Sequence, residues 1–271
     1  MTQSKFNEFV DIVKRLRKEC PWDREQTNDS IKANTIEEAY EVVDAIDHKD
    51  YDELKKELGD LLLHVVFHTV IVEEQDRFNI NDVIDSIKAK LIRRHPHVFG
   101  NKQVNGSDEV KKNWEEIKLE EGRENLLDGV PESLPALQRA HRLQEKAAKV
   151  GFDWEKKSDV WAKVIEEIQE MHEIEKRKSI DVSKISPDQN EDTLQDQLES
   201  EFGDVFFALV NYARFLNVNP EDALRKTNRK FIKRFSYVEN KIKESGRKLS
   251  QSNLIEMDKY WAESKKLPGF N

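Results

Sequence analysis

IEEAYEVVDAIDHKDYDELKKELGD, residues 36–60, carries two sets of acids at helical spacing. Glu37, Glu38 and Glu41 fall at i, i+1 and i+4, so Glu37 stacks over Glu41 and Glu38 lies one turn from it on a neighbouring line. Glu57 and Asp60, three apart, open a second helix that runs into LLLHVVFHTVIV. That run is apolar nearly all round and is expected to be buried. If the two helices pair antiparallel, both acid sets meet. Carboxylates crowded beside a buried helix repel and raise one another's pKa unless cations sit among them. Hard divalent cations with oxygen ligands, most simply Mg²⁺, suit that need.

An acid pair alone says little in a chain with 37% charged residues, and E-x-x-D recurs at Glu8/Asp11, Glu41/Asp44 and Glu73/Asp76. Most such spacings are a solvated face paired with lysines. What changes the reading is repetition. In two places an E-E-x-x-E is followed by an E-x-G-D that opens an apolar run: 37–60, and again at Glu166, Glu167 and Glu170 with Glu201 and Asp204.

The chain has 271 residues, 37% of them hydrophobic, with only 9 Gly and 7 Pro, which suits an all-α protein with few loops. Domains of about 100–150 residues make two units the natural division. No apolar run approaches the roughly 18–20 residues of a membrane-spanning helix, so no membrane association is expected. The N-terminal MTQSKFNEFVDIVKRL lacks the apolar core of a secretion leader. Cys20 is the single cysteine, so no internal disulfide forms and a reducing cytoplasm is expected. A net charge of −9 without a long basic stripe argues against nucleic-acid binding.

Phe6, Phe9, Val10, Val13 and Leu16 predict a first helix ending before Pro21, and CPWDREQTN reads as a turn in which Trp22 is a core anchor or a ligand-facing ring, the core being favoured. The two acid-bearing helices follow. Asn79–Arg94 predicts another, with Ile80, Val83, Ile84, Ile87 and Leu91 as its buried stripe. Lys90 and Arg94 share a face near its end, where they either answer the helix dipole or clamp phosphate oxygens. His95 and His97 read as loop hydrogen-bonders. A helix over 108–121 carries Trp114 and Lys118. The expected organisation is an N-terminal helical domain over 1–121, a connector over 122–135 and a C-terminal helical domain over 136–271, with a polar insertion near 179–192. Asn219-Pro220-Glu221-Asp222 has the cap, proline and acid order of a helix start.

The halves match landmark by landmark. E-E-x-x-E shifts by 129 positions (37 to 166), E-x-x-D by 144 (57 to 201), K-x-x-x-R by 140 (90 to 230) and W-x-x-x-K by 147 (114 to 261). An internal duplication that kept only a helical core would preserve apolar positions. This one also keeps acids, bases and an aromatic, which reads as a polyanion site built twice.

CPWDREQT, IEEAYEV, ELGDLLLHVVFH, KLIRRHPHVFG and NWEEIK in the first half, with VGFDW, EFGD, NRKFIKRF and the terminal W-x-x-x-K in the second, resemble the MazG family. That family belongs to the all-α nucleoside triphosphate pyrophosphatases. The resemblance implies two tandem four-helix MazG-type units and a homodimer or higher oligomer. It implies Mg²⁺-dependent hydrolysis of nucleoside triphosphates to monophosphate and pyrophosphate, with Mn²⁺ as a substitute metal and nucleotide-pool housecleaning as the role. Carried over residue by residue, it assigns Glu167, Glu170, Glu201 and Asp204 to the metal, with Glu166 at the same cluster; of these carboxylates, Glu166 or Glu170 is expected to orient or deprotonate the attacking water. It assigns Lys230 and Arg234 to the triphosphate and Trp261 and Lys265 to the nucleotide. The first-half counterparts are Glu38, Glu41, Glu57 and Asp60, then Lys90, Arg94, Trp114 and Lys118. The sequence departs from the pattern at Asn28, where a His is expected, and in the insertion between Glu170 and Glu201. The family likeness favours chemistry in the second half.

A di-iron bundle would need Glu-x-x-His, which no His here completes, and no G-x-x-x-x-G-K-[ST] phosphate loop is present. The alternative is a non-catalytic nucleotide sensor or helical scaffold that keeps the acid cluster.

Overall fold

The computed structural model describes residues 4–107, 109–110, 113–114, 117, 125–178 and 191–269, with 191 and 192 described by backbone alone. The described residues form helices and no strand. They separate into two compact units, Met1–Glu121 and Gly122–Asn271.

In the first unit, α1 (Lys5–Glu19) starts at Ser4, whose side chain accepts from the Asn7 amide. Pro21 cannot extend α1 and instead opens α2 (Pro21–Glu25), so the expected turn is a short helix. Thr27 and Ser30 form a capping box for α3 (Asn28–His48), and Asp50 caps α4 (Tyr51–Glu73). Only Lys49 and Asp50 separate these long helices, which packs them as an antiparallel pair, the main helix contact of the unit. Val10, Val13, Ile31, Val66, Phe67, Val70 and Ile71 form the core between α1, α3 and α4. Arg17 ties the edge together. It donates to the carbonyls of Asp23 (2.5 Å) and Gln26 (2.8 Å) and pairs with both carboxylate oxygens of Glu74.

Two expectations about burial are corrected. Trp22 is 64% exposed, because the short α2 packs mainly against α1 and leaves its ring over solvent. The stripe of α5 (Ile80–Arg94) is covered at one end alone: Ile80 packs against the core, whereas Ile84, Ile87 and Leu91 are 40%, 41% and 48% exposed, and among the described helices the main contacts of α5 are with α4 and the short α6 (Pro96–Phe99). Leu58, Leu62 and Val65 of α4 are open as well, so its apolar run is buried on one side alone. His95 caps α5, its Nδ1 lying 2.7 Å from the Leu91 carbonyl in the last turn of that helix.

The second unit repeats the long pair as α8 (Lys157–Lys178) and α9 (Glu191–Phe215), flanked by α7 (Ala136–Lys149), α10 (Pro220–Glu244) and α11 (Leu254–Ser264). Asn219 caps α10 and Pro220 occupies its first turn, as the sequence predicts. Val160, Val164, Val205, Ala208, Val238 and Ile242 are buried. The end of the expected connector packs onto this unit, where the buried Lys146 ammonium donates to the carbonyls of Leu126 (2.9 Å) and Asp128 (2.8 Å). Phe202, Phe206 and Leu209 on the outer side of α9 are exposed. The insertion over 179–190 and most of the helix expected over 108–121, Lys118 included, lie outside the described residues.

Candidate functional site

Each long helix pair brings acids together. In the first unit, carboxylate oxygens of Glu38 and Glu41 on α3 and Glu57 on α4 lie within 4.8 Å of one another. In the second, Glu167 on α8 and Glu201 and Asp204 on α9 do the same. Helical spacing places each set on the face turned to its partner helix. Asp60 stays close enough to Glu38 to act on it through space, and Glu170 feels Glu167, Glu166 and Glu201 in the same way.

The electrostatics record the crowding. Burial and the neighbouring Glu41 and Glu53 push Glu57 up to about 7. Glu38 is raised by desolvation and by Glu41 and Asp60, with His64 opposing. Glu170 is raised by desolvation and by Glu167. Each set offers only carboxylate oxygens, carries excess negative charge and converges across two helices. Such a donor set fits a hard divalent cation, and Glu38, Glu41 and Glu57, or Glu167, Glu201 and Asp204, would hold it.

Lys163, overlooked in the sequence, sits one turn before the second acid set. Its Nζ lies 2.8 Å from Oε1 of Glu166 and 2.8 Å from Oε1 of Glu167. The spacings i, i+3 and i, i+4 were legible in KVIEE. The surroundings of Glu166 and Glu170 differ: Glu166 pairs with Lys163 and is 56% exposed, whereas Glu170, also exposed, is raised by desolvation and by Glu167, with Lys163 opposing.

Lys230 and Arg234 lie on α10, Trp261 on α11 and Lys265 just past its end, and the structure brings Arg234 and Trp261 together. The Arg234 guanidinium lies 5.9 Å from the Trp261 ring centre, and Phe231 packs on that ring at 5.2 Å. Arg94 stands over Trp114 at 5.8 Å in the first unit, so the cation–aromatic pair is repeated along with the acids. Lys90, Lys230 and Lys265 are exposed.

Beside the second acid set is a cavity of about 760 Å³. Lys163, Glu167 and Asp204 stand at one end, Asn211 and Arg214 further along α9, and the GFDW turn, residues 151–154, forms a wall. Gly151 has φ 87°, a left-handed conformation that frees the chain to leave α7 here. Arg214 holds the turn through a two-pronged pair with Asp153, one arm at 2.9 Å, while Nε (3.1 Å) and Nη2 (2.8 Å) donate to Asn211 Oδ1.

In the first unit a chain of polar groups joins α3 and α4. Thr35 Oγ1 lies 3.0 Å from His64 Nδ1 and 2.8 Å from His68 Nε2, and His68 Nδ1 is 2.7 Å from Asn28 Oδ1. Asn28 thus meets a histidine from α4. His64 Nε2 approaches Glu38 Oε1 at 3.9 Å, so the chain of groups leads to the acids. Burial and His64 depress His68. Asp60, His64 and His68 recur every four residues, a signal hidden inside the apolar run.

The MazG nucleotide pyrophosphohydrolase domain matches residues 26–99 and 156–238, the two stretches that carry the helix pairs and their acids. The chain belongs to the MazG family. It is 42% identical over 265 residues to the nucleoside triphosphate pyrophosphohydrolase/pyrophosphatase MazG of Thermotoga maritima, covering 96% of this chain and 95% of that one. The nucleoside triphosphate pyrophosphohydrolase of Escherichia coli K12 is 41% identical over 270 residues, covering 97% and 98%. YabN of Bacillus subtilis, an uncharacterised MazG relative, is 47% identical over 96% of this chain and 51% of its own length.

Proposed function

We propose that this protein hydrolyses ribo- and deoxyribonucleoside triphosphates to the monophosphate and pyrophosphate, with Mg²⁺ as the working cation and the second unit as the reacting one. The observation that carries this reading is the convergence of Glu167, Glu201 and Asp204 at the mouth of a cavity of about 760 Å³, a size suited to a small-molecule ligand. The names of the Thermotoga and Escherichia relatives agree with it.

Mg²⁺ held by these carboxylates, or Mn²⁺ in its place, would supply charge neutralisation and Lewis-acid polarisation at the phosphoryl oxygens. Glu170, with its raised pKa, accepts a proton from water as the water oxygen attacks the α-phosphorus. The bond to the oxygen bridging the α- and β-phosphorus breaks, and pyrophosphate leaves with that oxygen. Lys163 contributes the cation nearest the acids, and Lys230 and Arg234 answer charge building on the leaving group. Trp261 and Lys265 face the nucleotide from α11. In the first unit, Glu38, Glu41 and Glu57 make a second acid set, with Asp60 near Glu38 and the Arg94–Trp114 pair repeated, and this set binds without carrying the reaction.

Self-association belongs to the same proposal. The exposed faces of α5 and of Phe202 and Phe206 on α9 are of the kind a second copy covers. Cys20, alone, suits a reducing cytoplasm. Chromatographic identification of products from ATP and dCTP, with Mg²⁺ and with EDTA, tests the chemistry. Monophosphate and pyrophosphate in equal amounts, only with metal, are expected; nucleotide binding without turnover would leave a sensor.

A further inference from the structure

The two units differ beside their acids. Asp60 and Asp204 match in the E-x-G-D repeats, so His64 and His68 of α4 correspond to Ala208 and Tyr212 of α9. Glu38 and Glu167 match likewise, and Thr35 of α3 corresponds to Val164 of α8. The polar chain of the first unit thus runs through positions that are Ala208, Tyr212 and Val164 in the second.

Proton counting fixes the direction of that chain. Asn28 Oδ1 only accepts, so His68, kept neutral by burial, donates to it from Nδ1 at 2.7 Å and has a lone pair on Nε2. Thr35 has one hydroxyl proton. With His68 Nε2 2.8 Å away, that proton points there, since two lone pairs would otherwise meet; the Ile31 carbonyl, at 3.2 Å, is the more distant acceptor. Thr35 Oγ1 then accepts from His64 Nδ1 at 3.0 Å. His64 Nε2 is left with a lone pair, 3.9 Å from Glu38 Oε1, and the two side chains are only 13% and 20% exposed.

Two acceptors therefore face one another. Their separation is too long for a hydrogen bond, yet shorter than two metal–ligand bonds of roughly 2.0–2.2 Å each to imidazole and carboxylate. Asp60 lies one helical turn before His64 and acts on Glu38 through space, so a cation between Glu38 and His64 has a further carboxylate beside it. A ring held from behind by a hydrogen bond on its other nitrogen is how metal-ligating histidines are oriented. Imidazole suits transition metals, whereas carboxylates alone suit Mg²⁺.

We propose, building on the reading of the first unit's acids as a cation site, that His64 Nε2 joins Glu38 as a ligand and makes this unit select a first-row transition metal ion over Mg²⁺. Thr35 is a positioning residue that holds the ring in its ligating tautomer. The second unit, with Ala208 in place of His64, offers oxygen alone and keeps Mg²⁺. The chain thus sorts two kinds of cation between two acid sets built on the same kind of helix pair.

The test uses the full chain carrying Glu201→Gln and Asp204→Asn, which takes the second unit's acids out of the titration, with Co²⁺ and Mg²⁺ as probes. The calorimetric Kd should be at least about tenfold lower for Co²⁺ than for Mg²⁺. Proton NMR of the Co²⁺ form should show an exchangeable resonance far outside the diamagnetic range, from Nδ1–H of a cobalt-bound imidazole. Adding His64→Ala should abolish that resonance and raise the Co²⁺ Kd about tenfold or more, while an unchanged Mg²⁺ Kd shows that the fold is kept. Thr35→Val, the residue type the second unit carries there, should weaken Co²⁺ and leave Mg²⁺ as it was. Co²⁺ bound without the shifted resonance, or equally well after His64→Ala, would overturn the role of His64 and leave the acids a cation site. Binding of neither ion would overturn the cation reading itself and the proposal with it.

Discussion

Lys163 Nζ lies 2.8 Å from Glu167 Oε1, a carboxylate that also converges with Glu201 and Asp204. One lysine thus supplies positive charge where three acids meet. In Lys163→Met that charge is gone, so the rise in Tm on adding Mg²⁺ should exceed the wild-type rise. The value of kcat/KM for ATP should fall about tenfold or more as a phosphate-facing cation is lost. Differential scanning calorimetry with and without Mg²⁺ checks the first point; equal shifts in the two proteins would show that Lys163 does not share the acids with a metal.

Glu57 gives a pH signature of the first acid set. Its folded pKa of about 7 stands above the ordinary 4.5, so in that interval the unfolded chain releases a proton that the folded chain keeps. The stability this group contributes is complete below pH 4.5 and is lost as pH rises through about 7. In metal-free buffer, Glu57→Gln should therefore gain Tm on the wild type between pH 5 and 8, and Mg²⁺ should close the gap. A difference in Tm that does not change with pH would contradict the crowding of Glu57 against Glu41 and Glu53.

Arg17 joins α1, the CPWD segment and the end of α4. Hydrogen bonding to Arg17 holds the Glu74 carboxyl below its usual range. Arg17→Met leaves the Asp23 and Gln26 carbonyls short of a donor and should cost about 2–3 kcal/mol. Urea unfolding followed by far-ultraviolet circular dichroism measures this, and a change under about 0.5 kcal/mol would mean water replaces the guanidinium without loss.

Ile242 is fully buried where α10 closes on the second unit. Ile242→Ala should cost about 2–5 kcal/mol, since cavity formation adds to lost burial. Denaturant unfolding reads the change directly.

The helix pairs and their acids were legible because spacing on a helix is a property of sequence: Glu37, Glu38 and Glu41 could only fall on neighbouring lines. Capping was legible for the same local reason, as Asn219 and Pro220 show. What sequence could not give was burial. The stripe of α5 has the period of a core face, yet Ile84 and Ile87 are 40% and 41% exposed. Period alone does not say whether an apolar face meets its own chain or another. Trp22 misled similarly, since a large ring usually implies a core only when an element lies over it. Asn211 and Arg214 went unseen because their meaning comes from a cavity formed by α7, α8 and α9 together. His64 and His68 were absorbed into an apolar run, although Thr35 and Asn28 make them part of a polar one.

The placement of chemistry in the second unit is tested most directly by pyrophosphate release from ATP and dCTP with Mg²⁺, comparing Glu167→Gln with Glu170→Gln against Glu38→Gln with Glu41→Gln. The second-unit pair should abolish release while the first-unit pair leaves most of it. The reverse pattern would contradict the account and move the reacting site to the first unit, beside Thr35, His64 and His68.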